Sequence, residues 1–115
     1  MAVITQKFHR KKGMRQSFFK VLVGNLIMRE KIITTETRAK AIRPIVERLV
    51  TLARRNRVED LRLVISRLGT KKIAEKLFYE IAPRYKERKG GYTRIVKLDE
   101  VRKRDGVKKA RIEFV

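Results

Sequence analysis

The sequence contains no cysteine, no tryptophan and a single histidine. Without cysteine, the chain cannot form disulfides, bind zinc through thiolates or use a thiol nucleophile. The one imidazole, His9, lies among cations with no nucleophile placed beside it, so we expect it to contact phosphate or solvent rather than act as a general base. The sequence therefore predicts no catalytic residue, no metal site, no cofactor and no small-molecule substrate.

Long apolar runs and acidic residues are also scarce. No stretch approaches the roughly 18 apolar residues of a membrane span, and no apolar core of a secretory signal follows Met1, so we expect an intracellular protein. Only 12 acidic residues oppose 32 Lys and Arg residues, which gives a formal charge of +20 over 115 residues. Because 43% of the residues are hydrophobic, the chain can still bury one core. Such a charged domain is best matched by a polyanionic partner.

Apolar residues recur at helical spacing in four segments. The first two stripes are Phe19, Leu22, Val23, Leu26 and Ile27, and then Ile42, Ile45, Val46, Leu49, Val50 and Ala53. Pro44 lies within the second helix and should bend it or make a turn irregular. Asn56 is the expected cap of a third helix, with Glu59 completing a capping box, and Gly69 is its expected end. That helix should bury Val58, Leu61, Ile65 and Leu68, and a fourth over residues 70–82 should bury Ile73, Ala74, Leu77, Phe78 and Ile81.

Three short segments favour strands. Residues 31–35 are rich in β-branched side chains and end at a Thr able to cap the second helix. Residues 92–98 follow a glycine pair, and residues 110–114 alternate in polarity. The order helix, strand, three helices, two strands predicts an α+β fold of two layers, with the helices on one face of a small mixed sheet. We predict one α/β domain over residues 17–115 with a basic hairpin tip at about 99–109. Residues 1–16 form a basic extension that should become ordered on RNA.

The strongest functional candidate is the glycine pair Gly90-Gly91 with its surrounding cations. No Walker pattern is present, so this is not a nucleotide loop. Two glycines allow the backbone to approach a phosphate closely, and the tyrosines at 85 and 92 could stack on bases or donate hydrogen bonds. The alternative is a flexible turn with solvated charges. The acid-free run over residues 1–16 has the same two interpretations, and the high net charge favours nucleic acid for both.

Two other functional classes fit parts of the sequence. Residues 56–82 could form a helix-turn-helix that places helix 70–82 in the DNA major groove, which would favour duplex DNA and a symmetric dimer. A basic amphipathic protein of the membrane surface is the weaker alternative, because the apolar stripes are bounded by caps and turns like elements of one core.

Several motifs, taken in order, resemble one family. They are Glu30-Lys31-Ile32-Ile33-Thr34-Thr35, Ala39-Lys40, Leu49-Val50-Thr51-Leu52-Ala53-Arg54, Lys76-Leu77-Phe78, and Ile81-Ala82-Pro83-Arg84-Tyr85 with Arg88 and Gly90-Gly91-Tyr92-Thr93-Arg94-Ile95-Val96-Lys97. This arrangement is similar to the bacterial large-subunit ribosomal protein L-seventeen family, from about residue 17 to 115.

The resemblance implies a structural component of the large ribosomal subunit that binds and braces large-subunit rRNA in the cytoplasm. It also implies a position on the solvent side near the exit-tunnel region and contact with neighbouring large-subunit proteins, L-thirty-two among them. The residues predicted to contact RNA are Lys7, His9, Arg10, Lys11, Lys12, Arg15, Lys40, Arg43, Arg84, Tyr85, Lys86, Arg88, Lys89, Gly90, Gly91, Tyr92, Thr93 and Arg94.

Overall fold

Helices and strands follow one another along the chain in the predicted order. The computed structural model describes residues 12–101 and 106–115. The elements are α1 (Lys12–Arg29), β1 (Lys31–Thr35), α2 (Glu36–Arg54), α3 (Val58–Leu68), α4 (Lys71–Lys76), a π-helical turn (Leu77–Ile81), a 3-10 turn (Ala82–Tyr85), β2 (Thr93–Val101) and β3 (Lys108–Phe114). The α+β class is confirmed. α1 begins inside the segment predicted as an extension, and Gly13 lies within this helix rather than before it.

The sheet has the order β1-β3-β2. It is antiparallel throughout rather than mixed, because β3 occupies the centre and runs opposite to both neighbours. β2 continues to Val101, where it pairs with Lys108 after a shift in register, so the strands reach further into the basic hairpin than predicted. Residues 102–105 of the predicted tip lie outside the described residues.

The core lies between one face of the sheet and the helices. Ala110, Ile112 and Phe114 of β3 point into it, as their alternation predicts. The predicted stripes of α1 and α2 are buried except for Leu22 and Ile45, which pack at the margin. Thr35 caps α2, since its Oγ1 accepts a hydrogen bond of 3.2 Å from the amide of Arg38. α2 continues from Glu36 to Arg54 through Pro44.

The start of α3 differs from the prediction. Asn56 does not cap the helix, because it adopts a left-handed conformation with φ of 58° at the turn after α2. Arg57 occupies the cap position, and its guanidinium holds Asp60 through bonds of 2.8 and 3.2 Å. The helix therefore buries Asp60 and Val64, while Val58, predicted to be internal, is 64% exposed. Gly69 ends α3 as predicted, with φ of 75°.

The fourth helix is shorter than predicted. Only Lys71–Lys76 is α-helical, and the next two turns are π and then 3-10. Leu77, Phe78 and Ile81 are nevertheless buried, as the helical spacing indicates. The change in winding leads the chain into Pro83, whose ring is tolerated in the first turn of a helical segment.

Gly24 is buried where α1 crosses α4. A Cβ at this position would lie 3.0 Å from Cδ1 of Ile73. Ala is favoured over Gly in a helix by about 1 kcal/mol, so contact with Ile73 opposes the gain in helix propensity. We expect Gly24→Ala to stabilise an Ile73→Val variant, which lacks Cδ1, and to gain less or nothing in the wild-type chain. Urea unfolding of the wild type, the two single variants and the double variant measures this coupling. Equal effects of Gly24→Ala on stability in both backgrounds would contradict it.

Candidate nucleic-acid interface

The segment 86–92, called the basic loop below, connects the 3-10 turn to β2 and is fixed at both ends by tyrosines. Tyr85 and Tyr92 are 4% and 1% exposed, and their ring centroids lie 5.3 Å apart. The hydroxyl of Tyr85 donates to the carbonyl of Val115 at 2.8 Å, and that residue's amide donates to the carbonyl of Tyr92 at 2.9 Å. Burial raises the pKa of the Tyr85 phenol. The loop thus begins and ends in the core.

A carboxylate on α2 anchors the end of the basic loop. Glu47 accepts hydrogen bonds from the amide of Tyr92 at 3.1 Å, the amide of Thr93 at 2.9 Å and the Thr93 hydroxyl at 2.7 Å. The carboxylate of Glu47 is thus engaged by backbone and hydroxyl donors of a distant segment. The signal was absent from local sequence because the partners are 45 and 46 residues away.

Three residues of the predicted contact set are buried by these anchors. Tyr85, Tyr92 and Thr93 are core residues, so their side chains support the loop and offer no open ring face for base stacking. The residues between them, including the glycine pair, are exposed.

The exposed part of the basic loop is braced by its own backbone. The Arg88 guanidinium donates to the carbonyl of Gly91 at 2.9 Å, and the carbonyl of Arg88 accepts from the Tyr92 hydroxyl at 3.3 Å. Gly90 and Gly91 have φ of 150° and 64°, values that favour glycine. Among the described residues, Lys86 and Lys89 are exposed and make no ion pair. Their ammonium groups are available to an anion.

Two predicted contact arginines are held by carboxylates instead. Arg84 pairs with Glu30, and the Arg84 hydrogen bond lowers the pKa of that carboxyl. Arg94 lies 3.3 Å from Glu113, which also pairs with Arg111 at 3.1 Å. Burial acts to raise the pKa of Glu113, but the hydrogen bonds from Arg111 and Arg94 outweigh it, and the net shift is downward. A phosphate approaching either arginine must share it with a carboxylate.

The remaining predicted contacts are dispersed. Lys40 pairs with Glu36 at 3.0 Å, and Arg43 donates to the carbonyl of Thr93 at 3.4 Å, which brings the outer face of α2 beside the start of β2. Lys12 and Arg15 lie in α1. The predicted contacts outside the described residues are Lys7, His9, Arg10 and Lys11.

Two arginines that sequence reasoning did not select line a cleft beside the basic loop. Arg48 of α2 and Arg67 of α3 share an open cleft of about 400 Å³ with Gly90. In the described part of the chain neither guanidinium makes an ion pair. A signal existed in the sequence, because neither arginine has an acidic residue three or four positions away on its helix.

Other kinds of site find no support in the described ranges. No group of three or more His, Asp or Glu side chains lies close enough there to hold a metal ion. No helix within residues 12–101 or 106–115 is both long and apolar enough to cross a bilayer. α4, which the DNA-binding alternative would place in a groove, has only 6 residues of α-helix.

Comparison with known proteins gives one consistent result. A profile of the family described as Ribosomal protein L17 matches residues 18–115. The "Large ribosomal subunit protein bL17" of a Sulfurihydrogenibium species is 52% identical over 98% of this chain and 93% of its own length. The proteins of that name from Persephonella marina and Thermomicrobium roseum are 53% and 46% identical, over 98% and 96% of this chain and 92% and 93% of their own lengths. The sequence resemblance is thereby confirmed, and the chain belongs to the ribosomal protein L17 family.

Proposed function

We propose that this chain is a structural constituent of the large ribosomal subunit that binds and braces large-subunit rRNA without catalysing a reaction. The observation that carries the proposal is the basic loop, an exposed cationic segment whose two ends are fixed in the core by Tyr85 and Tyr92. Because the two ends of the loop are fixed, its backbone has less conformational freedom to lose when the loop meets RNA. The names of the relatives, which place those proteins in the large subunit, support the same assignment.

Binding on this proposal is mainly electrostatic. Lys86 and Lys89 neutralise phosphates, and the released counterions favour association. The Gly90-Gly91 backbone approaches phosphate or ribose, since no side chain blocks it. Such contacts fix position and orientation on folded RNA without reading bases. The basic residues that precede α1, among them Lys7, Arg10 and Lys11, add further phosphate contacts.

Contacts with neighbouring large-subunit proteins in the cytoplasmic ribosome complete the proposal, and L-thirty-two is the partner that the family resemblance suggests. Ile33 on the outer face of the sheet and Tyr79 on the π-helical turn are 61% and 60% exposed. Exposed apolar side chains of this size suit protein contacts at the edge of an RNA-binding surface.

The first test is sedimentation of cell lysate through a high-salt sucrose gradient, with the protein followed by mass spectrometry. Co-migration with the large subunit after the salt wash is the expected result, since many phosphate contacts must break together. Release to the top of the gradient or to the nucleoid fractions would contradict the proposal and favour the DNA-binding alternative.

A charge-matched pair of variants tests the basic loop itself. Lys86→Ala/Lys89→Ala removes two cations from the loop, while Arg62→Ala/Lys72→Ala removes two exposed cations from α3 and α4 that make no ion pair in the described part of the chain. We expect the loop variant to bind large-subunit rRNA on the order of 10-fold more weakly at 100 mM salt, and the control to stay within about twofold. Filter binding measures both affinities. Equal losses of affinity in the two variants would show that the basic loop is not part of the interface.

A further inference from the structure

The cleft between α2, α3 and the basic loop has the composition of an anion site. Arg48, Arg67 and the backbone of Gly90 lie at its edge, and Glu47, Thr51, Leu52 and Tyr92 complete its lining. Its volume of about 400 Å³ is enough for a phosphate and part of a sugar, and it is open to solvent.

Glu47, the acidic residue of this cleft, makes no ion pair with either arginine. Both oxygens of Glu47 are engaged by donors from residues 92 and 93, with Oε1 accepting at 3.1 Å and Oε2 at 2.9 and 2.7 Å. Neither Arg48 nor Arg67 makes an ion pair with any residue that the structure describes. Two guanidinium groups without an ion-pair partner among the described residues therefore line one open cleft, and both would attract an anion that enters it.

The lining also indicates which part of a nucleic acid would enter. Tyr92 is 1% exposed, so it offers no ring face on which a base could stack. A planar guanidinium matches phosphate oxygens with two parallel hydrogen bonds. The Thr51 hydroxyl donates to the carbonyl of Glu47 at 3.0 Å, and its oxygen can still accept a hydrogen bond from a ribose hydroxyl or a bridging water. At Gly90 the space beside the backbone holds no protein atom within 4 Å of a would-be Cβ, so a ligand can approach the main chain.

We infer that Arg48 and Arg67 seat a phosphodiester of the RNA backbone against Gly90. The inference rests on the proposed function, because it names a contact through which the chain would hold rRNA. It adds two residues on different helices to the interface. The same phosphate would then be held by α2, α3 and the basic loop, so binding would also stabilise the packing of these elements.

The test compares Arg48→Ala/Arg67→Ala with the charge-matched control Arg62→Ala/Lys72→Ala in filter binding of the full chain to large-subunit rRNA. Binding is measured over a range of salt concentrations. We expect the cleft variant to lose about one unit from the slope of log affinity against log salt, with affinity reduced on the order of 10-fold at 100 mM salt. The control should keep the wild-type slope to within about half a unit.

Three further measurements distinguish the ways in which the inference or the proposed function could be wrong. Arg48→Lys/Arg67→Lys keeps both charges without the planar fork, so it should restore the slope but not the full affinity. Inorganic phosphate at millimolar concentration should not displace the RNA; displacement would indicate a site for free phosphate and overturn the inference. If the cleft variant has the same affinity and salt slope as the control, the inference about the cleft is wrong but the proposed function still stands. Wild-type protein that binds rRNA no better than an unrelated RNA would instead overturn the proposed function.

Discussion

Replacing Glu47 with Ala is expected to lower the free energy of unfolding by about 3 kcal/mol. The substitution removes the acceptor of two backbone amides, those of Tyr92 and Thr93, and of the Thr93 hydroxyl. Thr93 is 2% exposed, so water cannot freely replace the lost carboxylate. Buried donors without a partner cost about 1 to 3 kcal/mol each, and the half-buried position of Glu47 allows some of this to be recovered.

Thermal unfolding followed by circular dichroism measures the effect, with a decrease in Tm of roughly 10 °C expected for a domain of this size. Glu47→Gln keeps one acceptor oxygen and should lose about half as much stability. The matched control is Glu87→Ala, which removes the same charge from an exposed position of the basic loop and should change stability by less than about 0.5 kcal/mol. If Glu47→Ala and Glu87→Ala have the same Tm, the carboxylate of Glu47 does not anchor β2.

The sequence predicts helices and strands best where a single periodic pattern of apolar residues faces a single core. α1 and α2 present apolar residues at helical spacing over five turns or less, and their predicted faces are buried with few exceptions. β1 has the predicted bounds, and its last residue caps α2 as expected, because both features depend on neighbouring residues alone. Local rules suffice for such elements.

α3 shows where local rules fail. Its apolar residues fit more than one helical face, and the choice of Val64 over Val58 depends on how the helix packs on α2. The Arg57–Asp60 bond and the left-handed Asn56 then fix a start that a capping-box pattern misplaced. The winding change after α4 was equally hidden, since α- and π-helical turns bury nearly the same side chains.

The candidate interface divides in the same way. Cation density around the glycine pair located the exposed loop, because a local excess of Lys and Arg is visible in the sequence. Whether a particular residue is free was not visible: Tyr92 is in the core, and Arg94 is held by Glu113 across the sheet. Arg48 and Arg67 line the same cleft only because α2 packs against α3, so their spacing in the sequence could not predict that they lie together.

Acid is expected to unfold the free protein at low ionic strength. The pKa values of Glu30 and Glu36 are lowered by hydrogen bonds from Arg84 and Lys40, that of Asp60 by its bond to Arg57, and that of Glu113 lies below its ordinary value despite burial. A carboxyl whose pKa is lowered by folding stabilises the fold above its ordinary value, 4.5 for Glu and 3.8 for Asp, and loses that contribution as pH falls through the folded value. Protonation also leaves 32 Lys and Arg charges unopposed.

Urea unfolding at pH 7 and pH 3 measures the loss, since urea is uncharged and does not screen the protein. We expect a much lower midpoint at pH 3, partly restored by 0.5 M sodium chloride, because protonation of carboxyls weakens the ion pairs and salt reduces the repulsion among the remaining cations. An equal midpoint at both pH values would contradict the prediction.

Glu113→Gln isolates one carboxylate from this general effect. Gln resembles the protonated acid in shape and charge, so the variant should be less stable than wild type at pH 7, where Glu113 pairs with Arg94 and Arg111. As the pH falls through the lowered pKa of Glu113, the wild-type carboxyl becomes neutral, so the difference in urea midpoint between the two proteins should be smaller at pH 3 than at pH 7. A stability difference that persists unchanged at pH 3 would mean that the shape of the side chain, and not its charge, stabilises the outer face of the sheet. Convergence would instead show that the sheet arginines are bound by a charge that acid removes, which frees both guanidinium groups at once.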